Sequence, residues 1–270
     1  MSFYTKITLI LFFILSLSKD LHSMTSSSYL ITNSAISSYD YEKASKYIDS
    51  KNFTNIGIEI LKRNLIFSIN SNKFKDAELI AKKIINLRKN DEDAWLVLLT
   101  FAKKNKNLIS LKDFEKLINK EDFKIINYIF YENGKMENSN EVISYRLFDL
   151  FEESNNNKLI ENKGIDYYFY YLNLALIFKP NLNEALYIKA QINQELKYHK
   201  KAEKLYNKID VKDSLYIEGQ KNIIIIKKNL NQYDEAKKLL NKLLIDYQND
   251  NSLILLQANL FQKNKEYKKA

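Results

Sequence analysis

The sequence predicts an all-α protein, an α-solenoid of helix–turn–helix repeats, and three observations carry that expectation. Alanines recur at steps of 34 residues, Ala202, Ala236 and Ala270. Each closes the same phrase: Tyr198-His199-Lys200-Lys201-Ala202, Tyr233-Asp234-Glu235-Ala236 and Tyr267-Lys268-Lys269-Ala270. A fixed period of this size means one supersecondary unit copied along the chain, each copy burying its apolar face against the next. The 270 residues include only 4 Gly and 1 Pro, too few to furnish the turns of an all-β or doubly wound fold. A hydrophobic fraction of 46% is ample for a core.

Residues 1–18 differ in kind from the rest. Lys6 precedes the apolar run Ile7 to Leu15, which fades into Ser16-Leu17-Ser18. A short positive start, an apolar stretch and small residues describe a secretory signal. The run is shorter than the ~20 apolar residues a membrane helix needs. An exported, periplasmic protein is therefore expected, with an uncleaved inner-membrane anchor as the alternative. Residues 19–28 form a polar spacer, and a helical array is expected from 29 to 270.

The first helix pair is expected from Ser28 through Ile36, a turn at Tyr39 to Glu42, and Ala44 in the second helix. Ala77 follows 33 residues later, in Phe74-Lys75-Asp76-Ala77, with Leu61, Leu65 and Ile69 between them at helical spacing. Asn90-Asp91-Glu92-Asp93 lacks the alternating ligands and glycine of a calcium loop. It is expected to cap a helix N-terminus, where carboxylates accept from free N–H groups and oppose the dipole. Trp95 to Leu99 open the next unit, whose second helix is expected near Leu108 to Ile118.

Residues 120–180 are the least regular. Helices are expected at Asp122 to Tyr131, Asn138 to Glu153 and Ile165 to Phe178, with turns at Gly134 and Gly164 and a polar break at Ser154 to Asn157. Asn138 and Glu141 have the spacing of a capping box. Five consecutive aromatics, Tyr167 to Tyr171, point all round a helix and read as packing on both sides rather than as a ligand platform. After Pro180, Asn181-Leu182-Asn183-Glu184 start a helix with a capping spacing, Ala190 is the small residue that lets helices approach, and Ile223 to Ile226 fall in mid-helix.

These residues resemble the tetratricopeptide repeat family, whose pattern runs Trp, Leu-Gly, Tyr, then Ala, an aromatic four later, and Pro. Trp95 and Leu98 match its start, Ala202 and Tyr206 its middle, and Pro180 its close. The Gly of the pattern is replaced throughout. The likeness covers about residues 25–104 and 165–270, and extends to long exported alphaproteobacterial members of the family. It implies a right-handed solenoid of about seven units with degenerate middle repeats. It also implies that each repeat's first helix lines a concave groove. With Asn183 as position 1, the groove residues are Glu184, Tyr187, Gln191, Gln194 and Glu195; with Ile217 they are Glu218, Lys221, Ile225, Lys228 and Asn229. The carboxylate clamp of chaperone-binding relatives is not reproduced by Tyr29 and Asn33, Lys62 and Arg63, or Asp93 and Val97. Ala270 stands where a second helix would begin, so the array is expected to continue beyond it.

Chemistry is sparse. Cysteine is absent, which excludes disulfides, thiolate metal sites and cysteine nucleophiles. The histidines are His22 and His199, the latter expected on a solvated turn. The four glycines are isolated, so no phosphate-cradling loop is formed. A net charge of +9 rests almost wholly on lysine, the arginines being Arg63, Arg88 and Arg146. Lysines interspersed with acids, as in Asp234-Glu235-Ala236-Lys237-Lys238, read as a solvated helix face. The sequence thus points to a non-catalytic scaffold that needs no metal or cofactor and binds a partner protein, peptide or helix in its groove. A membrane-anchored envelope assembly factor, or a basic surface for nucleic acid or acidic polymer, are the alternatives.

Overall fold

The structure, a computed structural model, describes residues 34, 35, 40, 43, 57–105, 123–152 and 165–263. The expectations for residues 1–18 and 19–28, most of the first helix pair including Ala44, the helix at Leu108 to Ile118, the break at Ser154 to Asn157, Gly164, and Tyr267 to Ala270 lie outside these residues. Among the described residues the chain is helical, with eleven bounded helices and one two-stranded hairpin. It divides into two compact units, Met1–Lys89 and Asn90–Ala270.

In the first unit, helix α1 (Ile58–Asn70) packs on α2 (Phe74–Leu87). The stripe Leu61, Leu65 and Ile69 is wholly buried, as are Ala77, Ala81 and Ile84. Asn72 sits between the helices at φ 57, in the left-handed region that asparagine tolerates. The amide of Lys73 donates to the carbonyl of Ser68 (2.8 Å) and that of Asn72 to Ile69 (3.0 Å), closing α1 with the paired bonds of a Schellman turn. Ala77 follows four residues after Lys73. In the same unit, Asp40 donates its amide to the carbonyl of Ala35 (2.8 Å), and its carboxylate accepts from the amide of Lys43 (3.0 Å).

The second unit begins with α3 (Glu92–Lys104), buried on almost every side from Asp93 to Thr100. After it come α4 (Lys124–Phe130), strands β1 (Tyr131–Glu132) and β2 (Lys135–Met136), α5 (Asn140–Glu152) and α6 (Ile165–Phe178). The antiparallel hairpin pairs Tyr131 with Met136 and Glu132 with Lys135. Its two-residue turn places Asn133 at φ 50 and Gly134 at φ 75, the double positive φ that matches strand twist. The sequence predicts helix up to Tyr131 and only a turn at Gly134. Asn133-Gly134 is itself the strongest short hairpin signal, but strands of two residues are too short to show alternation. The Arg146 guanidinium of α5 fastens the hairpin, donating to the carbonyls of Ile129 (3.3 Å) and Tyr131 (3.2 Å) and to Glu132 (2.8 Å).

The remaining helices follow in pairs: α7 (Asn183–Glu195) with α8 (His199–Tyr206), and α9 (Leu215–Asn229) with α10 (Tyr233–Asp246). Helix α11 (Asn251–Lys263) then packs on α10, while α7 also meets α9 and α6 meets both α3 and α7. Two apolar clusters hold these pairs. One joins Leu186, Ala190, Ala202, Tyr206, Ile209, Ile223 and Ile226, and the other Ile224, Ala236, Leu240, Leu243, Leu253, Leu256 and Leu260. Ala202 and Ala236 are wholly buried. The turns ahead of them repeat the geometry seen before Ala77. Lys197 (φ 61) and Asn231 (φ 60) lie five residues before their alanines, as Asn72 does. Tyr198 donates to Asn193 (2.8 Å), and Gln232 to Lys227 (2.9 Å).

Candidate protein-binding face

Helices α7 and α9 carry the nine candidate groove residues and Ile225, and the structure separates them into engaged and open positions. Tyr187 is half-buried, its ring edge-on to Tyr206 with centroids 5.7 Å apart. Its hydroxyl accepts from Asn222 Nδ2 of α9 (3.2 Å). Gln194 Oε1 accepts from the Tyr206 hydroxyl (3.0 Å). Burial, and then the neighbouring Tyr187 and Glu195, push the Tyr206 phenol far above its ordinary range, so it remains a neutral donor. Tyr187 and Gln194 are therefore part of the wall that holds α7, α8 and α9 together.

Lys221 is a hub rather than a free cation. Its Nζ reaches Glu218 Oε1 at 2.9 Å and Asp250 Oδ2 at 3.0 Å. Burial alone would lower this ammonium, but the hydrogen bonds to Glu218 and Asp250 outweigh it and the net shift is upward. Asp250 caps α11, accepting from the amides of Ser252 (2.8 Å) and Leu253 (3.0 Å). Its carboxyl is held down at about 2, chiefly by the Ser252 hydroxyl and then by Lys221 and the Leu253 amide against some desolvation. Asn183 makes a related link one pair earlier, donating to Asp213 Oδ2 (2.7 Å) and accepting from the Asp210 amide (3.1 Å). Glu184, Ile225 and Lys228 are half-buried, while Gln191, Glu195, Glu218 and Asn229 are exposed.

The same register continues onto α11, where the sequence reading stopped. With Asn251 as position 1, Leu255 takes the place held by Tyr187 and Lys221. It is 64% exposed, beside Ile254 at 47%. Counting another 34 residues from Ile217 would have found it. The open face is thus amide and carboxylate at Gln191, Glu195 and Asn229, and aliphatic at Leu255.

The acidic cluster performs the capping chemistry expected of it. Asp91 Oδ1 accepts from the Ala94 amide (3.1 Å) at the start of α3. Glu92 Oε1 accepts from the amides of Ile125 (2.7 Å) and Ile126 (3.1 Å), capping α4 from another helix. Asp93 accepts from the Tyr167 hydroxyl (3.2 Å), and its carbonyl from that of Tyr170 (3.1 Å). Tyr170 and Tyr171 are fully buried, with rings edge-on at 5.3 Å, so this part of the aromatic run is core. Among the described residues no group of three or more His, Asp or Glu side chains could hold a metal ion.

Three expectations are corrected. His199 is not on a solvated turn: it is the first residue of α8, half-buried, and its Nδ1 is enclosed without a hydrogen bond. Asn138 does not cap α5; the Ser139 hydroxyl accepts from the Val142 amide (3.3 Å). Glu141 instead pairs with Lys179, which follows α6. The start of α7 has no side-chain cap, since Leu182 precedes it and the Asn183 amide is committed to Asp213.

Neither a protein-family model nor a curated protein sequence matches this chain. Among the described residues no helix is long and apolar enough to cross a membrane.

Proposed function

We propose that the chain is a non-catalytic protein-interaction scaffold: a right-handed solenoid of tetratricopeptide-like repeats whose first helices present a groove to a peptide or helix of a partner protein. The observation that carries this reading is the recurring turn. In three helix pairs the first helix closes with a left-handed residue five places before a buried alanine, at φ 57, 61 and 60. A unit repeated down to its hydrogen bonds is a solenoid's building block, and solenoids act by offering an extended preformed surface. The open polar side chains Gln191, Glu195 and Asn229 on first helices, with Leu255 beyond them, supply the contacts. Such a surface needs no cofactor. The leader-like residues 1–18 support export, with the mature protein acting in the periplasm or held at the inner membrane.

Site-specific photo-crosslinking tests the reading. A crosslinker at Gln191 or Asn229 is expected to capture a partner protein, whereas one at Lys204 or Lys238, on second helices, is not. Capture from the second-helix positions alone would refute the assignment of the groove.

A further inference from the structure

The charge of +9 is not spread evenly along the chain. Residues 197–212 hold six lysines against Glu203 and Asp210, a net charge of +4. By contrast, residues 123–196 carry ten acidic and seven basic side chains, and residues 213–250 carry six of each. Within residues 123–250 the basic excess is therefore confined to α8 and its flanking turns. Lys200 and Lys204 lie one helical turn apart on α8, about 6 Å along its axis, and Lys208 follows in the turn just after the helix ends. Lys197 and Lys212 flank them in the adjoining turns, and all five are exposed. Among the described residues no ion pair engages any of the five, whereas Lys82, Lys179, Lys221 and Lys227 are each paired with a carboxylate. Glu203, between Lys200 and Lys204 in the chain, reaches Lys227 at 3.8 Å.

We propose that this row is a docking surface for a lipid bilayer with anionic headgroups. Ammonium groups on flexible stems suit a diffuse layer of phosphates, which demands no fixed geometry. A nucleic-acid surface would call for guanidinium forks or exposed stacking rings. Residues 197–212 contain no arginine, and their aromatics are the half-buried Tyr198 and the buried Tyr206. The row also ends on Val211, 64% exposed between Lys208 and Lys212. An apolar side chain framed by two cations fits the interfacial layer, where it can enter while the charges stay with the headgroups. The surface lies on a second helix and is independent of the groove.

Each lysine near an anionic bilayer contributes a factor of about five to binding. The test compares the full chain with its Lys200→Gln, Lys204→Gln, Lys208→Gln triple variant on phosphatidylcholine vesicles with and without phosphatidylglycerol. The wild type is expected to prefer the anionic vesicles by ~100-fold more than the triple variant, and to lose that preference at high salt. The N-terminal apolar segment is common to both proteins and cancels from the comparison. An unchanged anionic preference in the triple variant would overturn the proposal. So would a variant that loses single-stranded RNA binding while vesicle binding persists, which would assign the row to nucleic acid. A Lys238→Gln, Lys242→Gln control on α10 should keep its vesicle binding; equal loss there would mean that overall charge, not this row, is responsible.

Discussion

Lys197 offers the most direct test of the repeated turn. It occupies the left-handed region at φ 61, where the equivalent residues of the other two turns are Asn72 and Asn231. For an L-residue this conformation costs ~1–2 kcal/mol, because Cβ crowds the following carbonyl oxygen. Asparagine tolerates it better and glycine carries no penalty. Replacing Lys197 with asparagine should therefore stabilise the second unit by ~0.5–1 kcal/mol. Lys197→Gly should gain a similar amount, less the extra freedom glycine has in the unfolded chain. In a thermal melt either gain corresponds to a rise of roughly 1–4 °C. Lys197→Ala removes the charge without relieving the backbone, so it should give no gain and thereby separates conformation from electrostatics. Asn231→Lys is the converse, and should cost about what Lys197→Asn yields. If Lys197→Asn leaves the melting temperature unchanged and Asn231→Lys does no harm, the shared turn geometry carries none of the stability assigned to it.

Two further outcomes follow from the packing. Burial, with the Lys208 charge added, pulls the Lys189 ammonium from 10.5 down to about 8, while its Nζ donates to Asn173 (2.7 Å). Between pH 8 and 10.5 the unfolded chain then holds a proton that the fold does not, so this residue makes stability rise with pH across that window. Below it, both states are protonated and the fold carries the full penalty. Lys189→Met should be more stable at pH 7 by up to ~2–3 kcal/mol in urea denaturation, with the advantage shrinking towards pH 10. A gap independent of pH would remove the electrostatic explanation. Gly219 lies where α9 crosses α8, and a Cβ there would stand 3.2 Å from Tyr206 Cδ1 and 3.4 Å from Ile209 Cδ1. Gly219→Val should cost ~1–3 kcal/mol through overpacking, read as a lower unfolding midpoint. An unchanged midpoint would mean the two helices separate without cost.

Much of the helical layout was legible because its signals are local. The stripe Leu61, Leu65 and Ile69, the mid-helix run Ile223 to Ile226 and the alanine register all act within a turn or two of helix, and the structure buries most of these residues. The hairpin at Tyr131–Met136 escaped because its strands are two residues long and the flanking pattern is helical. His199 escaped because a polar residue next to a turn usually faces water, whereas here its Nδ1 is enclosed. On the candidate face, the family resemblance supplied the positions on each first helix, but it did not show that Tyr187, Gln194 and Lys221 already have partners within the chain.

The 34-residue period and the helical stripes were read from the sequence alone, because they depend only on the spacing of residues along the chain. The links between successive helix pairs were decided only by tertiary structure. Glu92 reaches the amide of Ile125, 33 residues on; Asn183 reaches Asp213, 30 residues on; and Lys221 reaches Asp250 at the head of α11. A carboxylate, an amide and an ammonium serve these three links, so no common motif marks them. Each side chain's partner is set by how one docked pair places the next, and that placement spends Lys221 on the fold while leaving Gln191, Glu195 and Asn229 open to solvent.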